Sequence, residues 1–372
     1  MWSHQDSDEY DTIQGITHIR RSLQVRSNKQ RTKTKLLFLA RLYAPHIGGV
    51  EKHVAQLSEQ LVGRGYKITV ITEQFDAMLP LHETQKNIDI YRIPKKQCET
   101  KLGIWRWLLA HRFLVEEADT IHAHDVFWWY LPLRFIYITK PVYTTFHGYE
   151  GSQPPTQKAV RSRKLAELLS HGNICVGEWM KTWYGTHPTA ILYGAGKARP
   201  SRSPRENSAV FIGRIDEDTG VLAYIEAVKL LRGKISLDMY GEGSLLSKLK
   251  SHIENVPYIK YKGLTKTPEI ILATYRFACV SRYLSMIEAM QIGRYVFAQW
   301  NNAIKRDYLK SFPAVQWCSV SSLPEDIAQE MMYIIDHPER EKSAVHGAQT
   351  WAVAQTWEHI ADVYESLWQT SR

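Results

Sequence analysis

Short apolar runs alternate with amphipathic stretches along most of the chain. KLLFLA at 35–40 is an apolar run of the kind that forms a strand buried on both faces of a parallel sheet. Behind it comes VEKHVAQLSEQLVGRG, in which Val50, Val54, Leu57 and Leu61 share one helical face and Gly65 supplies the stop. KITVIT at 67–72 is the next buried strand. The intervening loop, RLYAPHIGG, brings Gly48 and Gly49 to the helix N-terminus. Backbone N–H groups and the helix dipole favour an anion there, although a glycine pair alone reads equally well as a turn.

The alternation continues through IDIYRI (88–93), a helix over 102–117, DTIHAHD (119–125), a helix near 130–138, VYTTFHGYE (142–150), a basic helix over 158–170, NICVG (173–177) and ILYG (191–194). GAGKARPSRSPRENS, rich in Gly, Pro, Ser and Arg, interrupts the pattern and reads as an interdomain linker. A second series follows: AVFIGRI (209–215), a helix over 221–231, ISLDMYGEG (235–243), a helix over 245–253, IKYKG (259–263), the stretch 277–298, AVQWCSV (314–320) as a last strand, and helices from 324 onward. The predicted division is a flexible arm over 1–33, a first domain over 34–194, a linker over 195–208 and a second domain over 209–350. A C-terminal helix over 351–372 has the option of crossing back to the first domain. The fold class expected is α/β, with two tandem doubly wound Rossmann-like domains and a cleft between them.

The stretch 277–298, FACVSRYLSMIEAMQIGRYVFA, reads as strand, loop, helix and strand. Its carboxylate, Glu288, falls near the start of the helix and just beyond a strand's carboxyl end, where ligands bind an open parallel sheet. A solvated helix residue is the plainer reading of any single glutamate.

Composition narrows the classes. With 372 residues, 44% of them hydrophobic and 23% charged, the chain is that of a soluble globular protein of two domains. No run approaches the ~18 apolar residues of a membrane span. The polar, acidic start MWSHQDSDEYD does not read as a signal peptide, so the expected location is cytoplasmic. Four widely spaced cysteines read as reduced thiols. A net charge of +9 suggests an anionic partner: nucleotide phosphate, an anionic lipid surface or nucleic acid. On a strand, His122 and His124 share a face that Asp125 leaves, and nothing completes a metal ligand set, so no metal is expected. Neither a full dinucleotide glycine fingerprint nor a phosphate loop ending in GK and Ser or Thr is present, which removes the main support for dehydrogenase and kinase readings.

The ordered set APHIGGVEKHVAQLSEQLVGRGYKITVIT, DTIHAHD, TTFHGYE, AVFIGRI, LDMYGEGSLLSKL, YIKYKGL and SMIEAMQIGRYVFA resembles the family 4 glycosyltransferases over about residues 35–368. These enzymes have the GT-B architecture of two facing Rossmann-like domains. The resemblance implies a retaining, metal-independent transfer of a hexosyl group from a nucleoside-diphosphate sugar, with no cofactor beyond that donor. It implies catalytic roles for His147, Arg214 and Glu288. Gly48 and Gly49 would line the cleft, Thr145 and His147 would form the TxH motif near the anomeric centre, Gly213 and Arg214 would meet the diphosphate, and Glu288 would hold the ribose hydroxyls. Glu242 joins the donor side, and His46, His124, Asp125 and His147 the acceptor side.

Three departures from the family pattern stand out. Thr219 stands where a lysine is usual as a second cation on the diphosphate, Tyr193 replaces the usual asparagine, and the loop that should carry a first, sugar-binding glutamate is about four residues short. Tyr283, Leu284 and Ser285 are the expected substitutes on the donor side if they face the cleft. Asp216, Glu217 and Asp218 would oppose a diphosphate unless they point outward. LGIWRWLLAHRFLV (102–115) and FWWYLPLRFIYITK (127–140) read as core helices, or as a surface for peripheral contact with an anionic membrane at the inner face. The expected partners are a nucleotide sugar and a glycan or lipid-linked acceptor in polysaccharide, glycolipid or glycoprotein assembly, with no nucleic acid. The competing expectation is a catalytically inactive relative that binds or scaffolds.

Overall fold

The computed structural model describes residues 34–148, 153–197 and 203–369. The expected arm over 1–33 and the middle of the expected linker lie outside the described residues.

The first sheet comprises β1 (Lys35–Ala40), β2 (Lys67–Glu73), β3 (His82–Gln85), β4 (Ile88–Ile93), β5 (Thr120–His124), β6 (Val142–Phe146), β7 (Gly172–Val176) and β8 (Ala190–Leu192). Their order is β3-β4-β2-β1-β5-β6-β7-β8, parallel except for the β3–β4 pair. Every residue of β5 and β6 is buried, as central strands covered on both faces require. β3, with the sequence HETQ, has no apolar alternation and escapes a hydrophobic reading. Its hairpin is set by Lys86 and Asn87, both at positive φ (53° and 62°), the backbone of a two-residue turn that matches strand twist.

The second sheet comprises β9 (Arg205–Ile212), β10 (Ser236–Tyr240), β11 (Ile259–Gly263), β12 (Tyr275–Cys279), β13 (Tyr295–Gln299) and β14 (Ser319–Ser321), in the all-parallel order β11-β10-β9-β12-β13-β14. Winding reverses between β1 and β5 in one sheet and between β9 and β12 in the other. The crevices outside the carboxyl ends of these strand pairs are the ligand positions of doubly wound sheets.

The helices that carry the site are α1 (Gly49–Gly63), α2 (Phe127–Ile136), α3 (Gln157–Leu169), α4 (Tyr283–Gln291), α5 (Ala303–Lys310) and α6 (Trp357–Gln369). α6 buries Trp357, Ile360, Ala361, Tyr364, Leu367 and Trp368, a helical stripe that joins the same core as β1, β2 and α1. The chain therefore returns from the second domain to cover the first. Arg64, just past α1, holds the outer face of α6 through Asp362 (2.7 Å) and Glu365 (2.6 Å).

The structure revises three elements. The helix expected over 102–117 is broken into Lys101–Ala110 and Phe113–Glu117. At the break the His111 ring stacks on Trp107 and its Nδ1 lies 2.9 Å from the Trp107 carbonyl, so the side chain competes with helix continuation. β9 begins at Arg205, inside the expected linker. AVQWCSV is a 3₁₀ turn, Val315–Trp317, before the short β14. Among the described residues, no helix is long and apolar enough to cross a membrane.

Candidate active site

Glycines pack two turns of the second domain backbone against backbone. Gly213 N–H donates to Tyr240 O (3.1 Å), and a Cβ on Gly241, at φ +143°, would lie 1.8 Å from Gly213 O. Glu242 is exposed, and its carbonyl accepts from Ile215 N–H (2.8 Å). Arg214 leaves this platform just beyond β9. Its guanidinium meets Asp216 at 2.8 Å and Asp218 at 2.9 Å, so these two carboxylates turn onto the arginine instead of pointing outward. Asp216 also accepts from Ser244 N–H and Oγ–H, both at 2.8 Å. Burial works against its charge, but the Ser244 hydrogen bonds and Arg214 hold the carboxyl below its usual range. Thr219, in the lysine position, is buried, with its hydroxyl donating to Asp216 O (2.7 Å).

The helix carrying Glu288 starts at Tyr283, which puts Glu288 in the second turn rather than near the start. Its carboxylate is 8% exposed and bonds the Lys52 ammonium of α1, which also lies 3.3 Å from Glu269. Burial raises the Glu288 pKa and Lys52 opposes the rise. Burial likewise works against the Lys52 charge, and the two glutamates more than restore it. The start of α1 thus faces the second domain. A Cβ on Gly49 would meet open space, whereas one on Gly48 would meet the Glu51 carboxylate at 2.1 Å. Gly196 lies against the same helix as Glu288, where a Cβ would be 3.3 Å from Glu288 Cγ.

Tyr283 does not face the cleft. It is buried with its ring stacked on Tyr308 (3.8 Å between centroids, 9°), and its hydroxyl bonds the Tyr308 carbonyl. The polar look of SRYLS suggested a loop, but the helix begins there and turns Tyr283 into the core, so its hydroxyl is not a sugar ligand. Tyr193, in the asparagine position, packs edge-on against the same ring at 5.2 Å. Leu284 and Ser285 are half-buried in the first turn of α4, with Leu284 beside Gly194.

The first domain contributes a cluster of histidines at the ends of β5 and β6. His147 Nε2 lies 3.0 Å from His124 Nδ1, so one imidazole must donate and the other accept. His122 Nε2 is 2.7 Å from Thr145 Oγ1, and its Nδ1 accepts from Trp368 Nε1–H (3.1 Å). Because indole only donates, His122 carries its proton on Nε2. Thr145 Oγ1 pairs with Tyr364 OH (2.8 Å), which pairs with His53 Nε2 (2.9 Å). Burial is the largest influence on all four histidines and holds them neutral, with His147 brought down to about 3. Asp125, at φ +61°, accepts from His147 N–H at 2.9 Å. Burial pushes its carboxyl up to about 6 against the pull of Arg163 and that N–H. His46 stands apart in the loop before α1, with Nδ1 2.8 Å from Glu51 and its ring against Phe75.

Lys52, His53, Tyr364, Arg282 and Lys305 were not singled out from the sequence. His53 and Lys52 carry a weak signal, since both lie within about one turn of the glycine pair. Tyr364, Arg282 and Lys305 come from elements whose approach depends on the tertiary fold. Among the described residues, no group of three or more His, Cys, Asp or Glu is placed to hold a metal ion. The arrangement can bind a polyanion at Arg214, accept hydroxyl donors at Glu288 and offer a neutral imidazole at His147.

Residues 47–189 match the model of Glycosyltransferase Family 4. A stretch of 103 residues is 29% identical to a phosphatidylinositol N-acetylglucosaminyltransferase subunit of Homo sapiens, covering 26% of this chain and 21% of that protein. An uncharacterized glycosyltransferase of Methanocaldococcus jannaschii is 21% identical over 357 residues, covering 88% of this chain and 97% of the relative. Among solved structures, sucrose-phosphate synthase from Thermosynechococcus elongatus superposes with a TM-score of 0.72 at 16% identity, covering 91% of this chain and 99% of that one. HepE of Anabaena, in complex with UDP and glucose, superposes with a TM-score of 0.70 at 14% identity, covering 90% and 100%. The two facing parallel-sheet domains are thus the GT-B fold.

Proposed function

We propose that this chain, a glycosyltransferase by family model and fold, moves a hexosyl group with retention from a nucleoside-diphosphate sugar to a hydroxyl of a glycan, glycolipid or other lipid-linked acceptor. The observation that carries the reading is convergence. The Lys52–Glu288 bond joins the first turn of α1 to α4 across the domains, and Asp218 joins Arg214, just beyond β9, to Arg282 at the start of α4, which supports a donor site built from these elements. HepE is described in complexes with UDP and UDP-glucose, which supports a nucleotide-sugar donor here.

In this reading the bond between the anomeric carbon and the β-phosphate oxygen breaks and the diphosphate takes the electron pair. The acceptor oxygen closes on the anomeric carbon, and its proton passes to the departing phosphate. Negative charge grows on the leaving group, so a fixed guanidinium stabilises the transition state more than the bound substrate. Those roles require no metal. Glu288 would orient the ribose, and neutral His147 would sit near the anomeric centre. The donor side would draw on Gly48, Gly49, Gly213 and Arg214, and the acceptor side on the β5 and β6 ends with His124 and Asp125. We place the activity in the cytoplasm, with peripheral contact at an anionic membrane.

A second reading, a binding protein without turnover, draws support from two observations: Thr219 is buried where a lysine is usual, and the Tyr283 hydroxyl is spent in the core. Calorimetry with UDP-, GDP- and ADP-sugars, followed by analysis of product anomers in the presence of acceptors, separates the two. Binding with transfer and retained configuration supports the first reading. Binding without transfer to any acceptor supports the second, and no binding at all rejects both.

A further inference from the structure

We infer that Arg282 is the second diphosphate-binding cation of this site, and that Asp218 fills the cradle between Arg214 and Arg282 until a diphosphate displaces it. The inference rests on the donor site proposed above and assigns a residue to it that the sequence pattern did not. Asp218 is gripped from two sides. Its carboxylate lies 2.9 and 3.2 Å from Arg214 Nη2, and Arg282 Nη2 bonds the same Oδ2. Two guanidinium groups converging on one carboxylate offer the donors that a phosphate oxygen set would take.

The place and the surroundings agree. Arg214 follows β9 and Arg282 follows β12, the pair of strands between which the second sheet reverses its winding. Both side chains remain accessible, Arg214 at 60% and Arg282 at 35% exposure. The turn that projects Arg282 is held from behind: Ser281 Oγ donates to Thr219 O (3.1 Å), and the buried Lys305 ammonium of α5 bonds Ser281 O. These bonds bring the 281–282 turn against residue 219, so Arg282 enters the site from the opposite strand where a lysine at 219 would have entered from the near loop. Lys305 is thereby a positioning residue. Burial, and then the charge of Arg282, pushes its pKa well below the usual range.

The two aspartates differ. Asp216 is anchored through Oδ1 by the Ser244 N–H and hydroxyl, and it contacts Arg214 through Oδ2. It is part of the platform. Asp218 bridges the two arginines from a 3₁₀ turn, Glu217–Thr219, at the cleft edge. Its departure would free one guanidinium face on each arginine for the incoming phosphates.

The test is calorimetric titration of the full-length protein with UDP, GDP, ADP and inorganic pyrophosphate, and with uridine, guanosine and adenosine in parallel. The expected result is that Arg282→Gln weakens binding of the preferred nucleoside diphosphate by roughly 10- to 100-fold and leaves the matching nucleoside unchanged. Arg282→Lys should recover part of the loss. Asp218→Asn should tighten the nucleoside diphosphate several-fold, and only when Arg282 is present. Thermal melts of each variant verify folding. If the wild type binds a nucleoside diphosphate and Arg282→Gln binds it equally well, the inference is wrong and the donor-site reading stands. If Asp218→Asn weakens binding as much as Arg282→Gln does, the displaceable-carboxylate part is wrong. If the wild type binds none of these diphosphates, the donor-site reading itself fails and takes the inference with it.

Discussion

Lys52, one turn into the first helix of the first domain, bonds the carboxylate of Glu288 in the second, and this pair spans the interdomain cleft. Glu288 is almost fully buried, so Lys52 is the partner that lets its charge stay there. Replacing Lys52 with Met should cost about 1–3 kcal/mol in urea unfolding, because a buried carboxylate loses its donor. The double variant Lys52→Met/Glu288→Gln should be less destabilised than the sum of the single variants. Additive losses would show that the two side chains do not couple.

The histidine cluster makes a pH prediction. His53, His122, His124 and His147 are all held below their ordinary value of 6.5, His147 at about 3, so below pH 6.5 the unfolded chain binds protons that the folded chain refuses. Stability from the neutral cluster is complete above about pH 6.5 and is lost as pH falls toward about 3. Asp125 works the other way: its carboxyl, raised to about 6, takes up a proton in the folded state and adds stability as pH falls toward about 4. The four imidazoles outweigh it. Urea unfolding midpoints should fall steadily from pH 7 to pH 5, and His124→Gln should flatten that slope. A midpoint that holds or rises on acidification contradicts the neutral assignment.

The covering helix offers a separate check. Tyr364 is buried and its hydroxyl connects His53 with Thr145. Tyr364→Phe should destabilise the protein by about 1–2 kcal/mol, since it leaves buried polar groups without a partner. The cost should be larger at pH 8 than that of an exposed control such as Tyr333→Phe. Equal costs for the two variants would remove α6 from any role in ordering the cluster.

A patch on the first domain tests the membrane reading. Arg134 Nε donates to Leu169 O (2.9 Å), which joins the C-terminal ends of α2 and α3. Phe135, Ile136, Ile138, Leu165 and Leu168 are exposed around that junction, and Lys158, Arg161 and Lys164 are exposed along α3. Exposed apolar side chains near a helix that carries exposed cations suit an anionic lipid surface. The protein should sediment with vesicles of phosphatidylglycerol and phosphatidylcholine but not with phosphatidylcholine alone. Phe135→Ser/Ile138→Ser should abolish the sedimentation, and equal binding to both vesicle types would rule out the electrostatic part.

Much of the fold was legible because parallel strands buried on both faces tend to be nearly continuous apolar runs, as in LLFLA of β1 and AVFI of β9. β3 was not, because HETQ has no apolar face and its existence depends on the Lys86–Asn87 turn. In the site, Arg214 and Glu288 were singled out through the GRI and SMIEAM motifs of the family resemblance, and they lie just beyond β9 and in the second turn of α4. Tyr283 was misjudged because a polar loop and a helix start can share a composition, and only packing on Tyr308 decides between them. Lys52, Arg282 and Lys305 were hidden for a related reason. Surface-type residues acquire a role only when another element approaches, and hydrophobic periodicity says nothing about that approach.

Whether the cleft turns over a donor is decided by release of nucleoside diphosphate when the pure protein is incubated with UDP-, GDP- or ADP-sugars and a panel of hydroxyl acceptors. Acceptor-dependent release from at least one donor is expected, lowered roughly 100- to 1,000-fold in kcat/KM by Arg214→Ala with the fold intact. Absence of release from every donor and acceptor, or release that Arg214→Ala leaves unchanged, would contradict the proposed transfer.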